Sequence, residues 1–211
     1  EVSEATRTAT FTPGRDAARK EASKLNVPRI GVRFRLPASM NQVEYFGRGP
    51  AENYLDRNAG SMIGLYKSTA EELYFPYVRP QENGHHTDTR WVSLSTGKKG
   101  LLIQADNTIG FNALRNSIED FDDEEATGLP RQWSNFTPEQ VANHDEAAAK
   151  SVLRRQHHIN DITPRDFVEV CVDLKQQGVA GYDSWGSRPE PAYTLPANRE
   201  YNWGFTLIPL K

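Results

Sequence analysis

Alternation of apolar and polar residues with a period of two is the dominant pattern of this chain, and it predicts β-strands. From Ile30 to Leu36 every second residue is a large apolar one. The run from Phe167 to Leu174 alternates in the same way, with three valines and a leucine on one face and mostly polar residues on the other. We predict a half-buried strand in each of these two runs.

Further strands are predicted at residues 2–12, 43–46, 90–94, 100–105, 111–114 and 201–208. The polar turn 37–42 predicts a hairpin between strands 30–36 and 43–46, and the segment Thr96 to Gly100 predicts a second hairpin between strands 90–94 and 100–105. Residues 47–57 carry turn formers and charges without periodicity, so we expect a structured loop there. The prolines of residues 74–86 exclude a helix, and Asn83-Gly84 predicts a turn.

One helix is indicated, beginning at Thr137-Pro138-Glu139-Gln140, where a hydroxyl cap, a proline and a glutamine form a capping pattern. The rest of residues 119–160 is expected to be loop or short helix, with a solvated acidic run at 119–125. Many short strands separated by turns are typical of an antiparallel sandwich or barrel. We therefore predict one all-β domain that covers residues 1–211.

Composition excludes several function classes. The net charge of -3 and the pI near 6.0 carry no footprint for nucleic acid or for an anionic membrane. The one cysteine, Cys171, falls inside a strand pattern, so neither a disulfide nor a cysteine-based metal site is expected. No apolar run reaches the length of a membrane helix. The chain opens at Glu1, which we interpret as a segment of a longer protein.

Four motifs occur in a specific order along the chain: Pro28-Arg29-Ile30-Gly31, residues 45–57 (YFGRGPAENYLDR), residues 77–84 (YVRPQENG) and residues 181–186 (GYDSWG). This order resembles the C-terminal, small-chain domain of the bacterial β-galactosidases of glycoside hydrolase family 2, from about Pro28 to the end of the chain. The resemblance implies an antiparallel β supersandwich similar to galactose mutarotase, with its first strands truncated before residue 28.

The resemblance also implies what this segment lacks. The family's catalytic glutamates lie in a (β/α)8 barrel that is not part of this sequence, and a retaining glycosidase needs two carboxyl groups about 5–5.5 Å apart. We expect no hydrolysis, no cofactor and no metal from this segment alone. Its expected partners are the barrel and other domains of a bacterial, homo-oligomeric parent enzyme that hydrolyses galactosides such as lactose, in cytoplasm or periplasm.

Trp185 occupies the family's Asp-Ser-Trp motif, where the tryptophan supports the sugar beyond the galactose. An indole face stacks well on the C–H face of a pyranose. We therefore expect Trp185, with Asp183 and Ser184, to bind the aglycone side of the substrate, the alternative being a buried core or interface tryptophan. Tyr182 replaces an acidic residue common in the family, so a polar contact inferred there is not carried over.

Weaker candidates for sugar contacts are Asn83, His85, His86 and Arg90. The two histidines and Arg90 resemble a sugar-epimerase constellation, although adjacent residues of a strand point to opposite faces. His157-His158 lacks partners at metal-ligand spacing and is expected on the surface. Two alternative functions stay open: an autonomous carbohydrate-binding module and an aldose 1-epimerase-like enzyme.

Three further expectations concern packing. The charged residues of loop 47–57 are expected to brace it by ion pairs and main-chain hydrogen bonds, rather than to bind sugar; they are Arg48, Glu52, Asn53, Asp56 and Arg57. Trp91, Trp133 and Trp203 are expected in the core or in an interface. A domain separated from its barrel should also expose an apolar patch.

Overall fold

The chain folds as an antiparallel all-β protein in the computed structural model, which describes residues 5–11 (backbone only), 26–121, 159–183 and 186–211. Its strands are β1 Ala5–Phe11, β2 Arg29–Pro37, β3 Gln42–Gly49, β4 Met62–Thr69, β5 His86–Ser95, β6 Gly100–Leu114, β7 Phe167–Gln176 and β8 Tyr201–Leu210. Short 3-10 turns lie at Ile118–Asp120, Ile159–Asp161 and Pro191–Tyr193. The expected antiparallel all-β fold class is confirmed.

The chain divides into two compact units. The first contains residues 1–74, 83–115 and 166–211 and holds all eight strands; the second contains residues 75–82 and 116–165. In the second unit the buried carboxylate of Asp120 is paired with Arg165, and the amide of Asn116 donates to the carbonyl of Thr163 at 2.8 Å. The expected helix at Thr137, the acidic residues 122–125, Trp133 and His157-His158 all lie outside the described residues.

Strand β6 is the centre of the open sheet. One edge of it pairs with β5 along most of its length. The other edge pairs with β8 through residues 100–105 and then with β7 through residues 110–114. The hairpin between β5 and β6 is confirmed, and Gly97 takes the positive φ of 82° that its tight turn requires. The separate strand expected at 111–114 is instead the end of the 15-residue β6.

The predicted hairpin between β2 and β3 is wrong. The turn exists, since the Met40 amide donates to the Pro37 carbonyl at 2.9 Å, but the strands on either side of it do not pair. Strand β2 pairs with β7, with Val32 opposite Val172, whereas β3 pairs with β4 and β5. Consecutive alternating strands joined by a short turn satisfy the hairpin pattern whether or not they share hydrogen bonds, so the pattern could not separate the two cases.

Strand β7 is buried on both faces, which corrects the prediction of a half-buried strand. Val168, Val170 and Val172 are fully buried, as the alternation indicates. The polar face is buried too, because Glu169 is only 3% and Asp173 only 1% exposed. Both carboxylates meet arginines of β2, and this pairing is what allows a polar strand face to be buried.

The core of the first unit lies on one face of strands β3, β5 and β6. Its centre is Tyr45, which packs edge-on against His86 and Phe111 with ring centroids 4.9 and 5.0 Å apart. The apolar residues around this centre are fully buried: Val43, Val92, Leu94, Ile103, Phe111, Ala113 and Phe205. Cys171 and Trp203 are also buried, as the sequence predicts.

Candidate functional site

The charged loop of residues 47–57 is braced from within, as the sequence analysis expected. The side chain of Asn53 is fully buried and its Nδ2 donates to the carbonyls of Arg48 and Ala51, each at 3.1 Å. Glu52 accepts a hydrogen bond from Arg57 at 2.7 Å and another from the main-chain amide of Gly84 at 2.6 Å. The polar groups of Asn53 and Glu52 are therefore used in hydrogen bonds that stabilise the loop.

Arg48 connects the charged loop to residues outside it. Its Nε donates to the carboxylate of Asp88, and its Nη1 donates to the carbonyl of Ser61 at 2.8 Å. Asp88 is one of two non-glycine residues with positive φ among the described ranges, at 52°. The ion pair with Arg48 helps to hold Asp88 in this unfavourable backbone conformation.

Asp56 makes a contact that the sequence analysis did not anticipate. Its Oδ1 accepts a hydrogen bond from the amide of Val179 at 3.1 Å, and its Oδ2 accepts one from the amide of Ala180 at 2.8 Å. We expected this carboxylate to bond to nearby backbone, but its partners lie 123 and 124 residues further along the chain. The charged loop thereby holds the start of the segment that carries the GYDSWG motif.

The turn that receives Asp56 has a demanding backbone. Gly178 lies so close to the Asp56 carboxylate that a Cβ would collide with it. Ala180 has φ of 55° and Gly181 has φ of 85°, both in the left-handed region. The amide of Gly178 also donates to the carbonyl of Tyr193 at 2.8 Å. The turn is therefore held from two sides.

Of the three residues expected to meet substrate, Asp183 is described and exposed, and Ser184 and Trp185 lie outside the described residues. Tyr182, just before them, is 59% exposed, and its amide donates to Ser187 Oγ at 3.1 Å. The motif therefore starts at a solvent-facing position directly beyond a braced turn.

The weaker candidates are mostly enclosed. Asn83, His85 and His86 are 2%, 1% and 1% exposed, so the structure places none of these three side chains where a sugar can reach it. Arg90 is exposed, and its guanidinium lies over the ring of Phe46 at 5.6 Å. The structure does not bring Arg90 together with the histidines as one open site.

His85 belongs to a buried polar cluster. Asn112 donates its Nδ2 to the carbonyl of Asn83 at 2.7 Å, so its Oδ1 is turned to accept from His85 Nδ1 at 2.8 Å and from Arg29 Nη2 at 2.7 Å. This assigns the proton of neutral His85 to Nδ1. Burial, reinforced by the nearby Arg29 charge, lowers the pKa of His85 to about 3.

Asp173 is the carboxylate of this cluster. Its Oδ2 lies 3.1 Å from Arg29 Nε and 3.9 Å from His85 Nδ1. The carboxylate alone would favour a protonated histidine, but it is already paired with the arginine, whose charge offsets it. Gly31 makes room for Asp173, because a Cβ at that position would collide with the carboxylate. The cluster therefore holds β2, β6 and β7 together.

His86 faces a different environment from its neighbour, as expected for adjacent residues. Its Nδ1 lies 3.1 Å from the Gly84 carbonyl and its Nε2 lies 3.2 Å from the Pro50 carbonyl. Its ring stacks on Phe111 at 5.1 Å. Burial lowers the pKa of His86 as well. Both histidines are therefore neutral structural groups near pH 7.

A cleft of about 700 Å³ lies on the sheet face opposite the core. Trp91 is half-buried in it, between Arg90 and Ser93 of β5 and Gln104 and Asp106 of β6. Trp91 was expected in the core or in an interface, and the structure places it at this partly open surface.

Two findings bear on metals and membranes. Within residues 26–121, 159–183 and 186–211, no group of three or more histidine, cysteine, aspartate or glutamate side chains is arranged to hold a metal ion. Among the same residues, no helix combines the length and the apolar character needed to cross a bilayer.

Known proteins that are similar to this chain belong to the family that the order of motifs indicates. The family model for the β-galactosidase small chain matches residues 3–207. A β-galactosidase of Priestia megaterium is 35% identical over 185 residues, which are 87% of this chain and 15% of that protein. A β-galactosidase of Arthrobacter sp. is 40% identical over 111 residues, half of this chain and 11% of that protein. A β-galactosidase of Vibrio cholerae is 29% identical over 181 residues, 86% of this chain and 14% of that protein.

The chain thus spans about one seventh of the length of the Priestia and Vibrio proteins while matching them over most of its own, and about one ninth of the length of the Arthrobacter protein. The fold, the motif order and the family match agree with one another. This chain belongs to the β-galactosidase small-chain family.

Proposed function

We propose that this chain is the C-terminal domain of a β-galactosidase that hydrolyses terminal β-D-galactosides such as lactose. In this proposal it supports the catalytic barrel and forms the aglycone side of the substrate site through Trp185, with Asp183 and Ser184 beside it. The β-galactosidase relatives are about seven times longer than their matching segments, which leaves room for a barrel elsewhere in such a protein.

One observation carries the proposal: the segment that contains the Asp-Ser-Trp motif starts at an exposed position on a turn held by Asp56. A residue that stacks on the variable part of a substrate has to be both accessible and well placed. A braced turn followed by solvent-facing residues meets both requirements.

The buried carboxylates of the described residues are used structurally, which supports placing the hydrolytic pair elsewhere. Glu169 is paired with Arg33 and Arg35, and Asp173 is paired with Arg29. Glu52 bonds to Arg57 and to the Gly84 amide, and Asp120 bonds to Arg165. A general acid and a nucleophile must instead face a substrate.

The epimerase alternative needs a histidine and a carboxylate that converge on a sugar. His85 and Asp173 do converge, at 3.9 Å, but each side chain is at most 2% exposed. A sugar cannot reach this pair without opening the core, so the described residues favour the β-galactosidase proposal over an epimerase.

The carbohydrate-binding alternative has a specific observation in its favour, the cleft beside Trp91. An aromatic side chain among polar side chains is a common lining of ligand sites. The effect of substituting Trp91 is therefore compared with the effect of substituting Trp185.

The test is Trp185→Ala in the full-length enzyme, with KM measured for lactose and for an aryl galactoside. We expect the KM for lactose to rise roughly 3- to 10-fold, because aromatic contacts of this kind contribute about 0.5–1.5 kcal/mol, and the aryl galactoside to be spared. Trp203→Phe, at a buried tryptophan, is the control for a packing defect. An equal loss for both substrates would assign Trp185 a folding role, and a selective effect of Trp91→Ala instead would favour the cleft.

A second measurement addresses the 211-residue chain itself. Lactose, galactose and glucose are titrated while tryptophan fluorescence is recorded, and the same sample is assayed for β-galactosidase and mutarotase activity. We expect no activity and no binding tighter than millimolar. Saturable binding would favour the carbohydrate-binding module, and accelerated mutarotation would favour the epimerase.

A further inference from the structure

We propose that Asp56 is a positioning residue for the turn Val179 to Tyr182, directly before the Asp-Ser-Trp motif, and that it thereby sets the affinity of the enzyme for the aglycone of its substrate. The inference rests on the proposed function of Trp185. Asp56 itself need not touch sugar, because it acts through the turn to which it is bonded.

Both carboxylate oxygens of Asp56 accept hydrogen bonds from consecutive main-chain amides. Oδ1 bonds to Val179 N at 3.1 Å and Oδ2 bonds to Ala180 N at 2.8 Å. A carboxylate that bridges two neighbouring amides fixes both the place and the direction of the backbone between them. Hydrogen bonds to a charged acceptor are also stronger than those to a neutral one.

The backbone of the turn depends on this support. Ala180 has φ of 55°, a left-handed conformation that is unfavourable for a residue with a Cβ. Such a conformation persists only where surrounding contacts determine it. The amides of Val179 and of Ala180 itself bond to Asp56. These two hydrogen bonds therefore hold Ala180 in its conformation directly before Gly181 and Tyr182.

The chain around Asp56 is itself held in place. Tyr54 and Arg57, which enclose Leu55 and Asp56 in the sequence, bond to each other through their main chains, with the Arg57 amide donating to the Tyr54 carbonyl at 2.8 Å. The Tyr54 side chain is 1% exposed and stacks on His85 at 5.5 Å. Asp56 therefore transmits the position of a fixed loop to the turn.

The contact between Asp56 and the turn also depends on the absence of a side chain at Gly178. The absent Cβ of Gly178 leaves the space that the Asp56 carboxylate fills. An alanine at 178 would push the carboxylate away from the turn without removing it. The contact can therefore be broken from either side, by Asp56→Asn or by Gly178→Ala.

The experiment uses the full-length enzyme and the variant Asp56→Asn. An asparagine has the same size but one acceptor oxygen, so at least one of the two hydrogen bonds is lost. We expect faster hydrogen exchange at the amides of Val179 and Ala180. We also expect a roughly 3- to 10-fold higher KM for lactose at nearly unchanged kcat, with the KM for an aryl galactoside spared.

Glu52→Gln is the matched control, because Glu52 is a carboxylate of the same loop that bonds to Gly84 and Arg57 instead of the turn. It should leave exchange at residues 179 and 180 as in the unchanged enzyme. Gly178→Ala should reproduce the effect of Asp56→Asn on lactose, and it replaces that variant if Asp56→Asn fails to fold. Adding Asp56→Asn to Trp185→Ala should cause no further rise in the KM for lactose.

The outcomes separate this inference from the function on which it rests. A normal KM for lactose in Asp56→Asn and Gly178→Ala, with a selective rise in Trp185→Ala, would overturn the role of Asp56 alone. Equal effects of Asp56→Asn on both substrates would also overturn it, since a general structural loss does not discriminate between aglycones. No selective effect of Trp185→Ala would overturn the proposed function itself.

Discussion

The amide oxygen of Asn53 accepts two hydrogen bonds from a single residue, Thr87: one from its main-chain N–H at 3.0 Å and one from its hydroxyl at 2.6 Å. Because the amide nitrogen donates to the carbonyls of Arg48 and Ala51, all four hydrogen-bonding positions of this fully buried side chain are used. Asn53 therefore connects the charged loop to strand β5 at the point where the strand begins.

We expect Asn53→Ala to lower the free energy of unfolding of the chain by about 2–4 kcal/mol. The substitution leaves buried donors and acceptors without partners, and each such group costs about 1–3 kcal/mol. Urea unfolding followed by fluorescence measures the change. Asn58→Ala, which removes only a 3.3 Å hydrogen bond to the Thr87 hydroxyl, is the milder control. Equal effects of the two substitutions would contradict the central place of Asn53.

The buried histidines predict a dependence of stability on pH. The pKa of His85 is lowered from 6.5 to about 3 in the folded chain, so below pH 6.5 the unfolded state takes up a proton that the folded state refuses. Stability is thus fully present above pH 6.5 and falls by about 1.4 kcal/mol per pH unit for this group as pH drops toward 3. His86, whose pKa is also lowered, adds in the same direction.

His85→Asn tests this dependence, since the asparagine amide nitrogen takes the place of Nδ1, can still donate to Asn112 and does not titrate. The urea midpoint of the unmodified chain should decrease steadily from pH 6.5 to pH 4. The variant should show a decrease that is shallower by about one proton. The same slope in both proteins would mean that the acid sensitivity arises elsewhere.

The arginines that face Glu169 predict non-additive substitutions. Arg33 Nη1 lies 3.5 Å and Arg35 Nε lies 3.0 Å from the carboxylate, which is itself 3% exposed. Either arginine alone can keep the buried charge paired, so we expect Arg33→Ala and Arg35→Ala each to cost about 1 kcal/mol or less. The double substitution should cost more than the sum, about 3 kcal/mol, because it removes both arginine charges from a buried carboxylate.

Glu169→Leu in the doubly substituted chain is the control for this interpretation. Removing the buried carboxylate should recover much of the lost stability, since replacement of buried ionic groups by apolar ones is often neutral. Additive single effects, or no recovery with leucine, would show that the arginines act through packing. Arg35 has such a contact, with its guanidinium 4.1 Å from the Phe167 ring centroid.

One face of the edge strand β4 exposes apolar side chains, which agrees with the expectation of an apolar patch. Ile63 and Leu65 lie on this face and are 40% and 59% exposed, and Phe46 of β3, opposite Leu65, is 37% exposed. We expect the 211-residue chain to self-associate through this patch as its concentration rises. Sedimentation velocity should show less association for Ile63→Lys/Leu65→Lys. Val78→Lys, at a residue that is 82% exposed in the other unit, should have no effect.

Residue patterns predicted part of the site. They predicted that the charged loop is stabilised from within, because turn formers and charges without periodicity are visible in the sequence. The resemblance to the small-chain family, and not the residue pattern, implied the role of the tryptophan motif. The patterns did not connect the two, since Asp56 and Ala180 are 124 residues apart in the chain. The partners of Asp56 are main-chain amides, which every residue except proline has. No residue type in the sequence therefore indicates which segment the carboxylate binds.

The strand β4 was not predicted at all. Its residues run Met62-Ile63-Gly64-Leu65-Tyr66-Lys67-Ser68-Thr69 and lack clean alternation. Periodicity arises where one face is buried and the other is wet. Both faces of this edge strand are partly exposed, so the selection that produces an alternating pattern is weak there.

By itself the sequence determined the fold class, the positions of most strands, the β5–β6 hairpin and the family, because local alternation, turn residues and short motifs depend only on neighbours in the chain. Tertiary structure alone decided that β2 pairs with β7 and not with β3, and that both faces of β7 are buried. It also decided that His85 and His86 are neutral core residues and that Asp56 holds the turn before the tryptophan motif. Each of these outcomes depends on which distant groups meet, and burial and charge pairing are properties of that meeting.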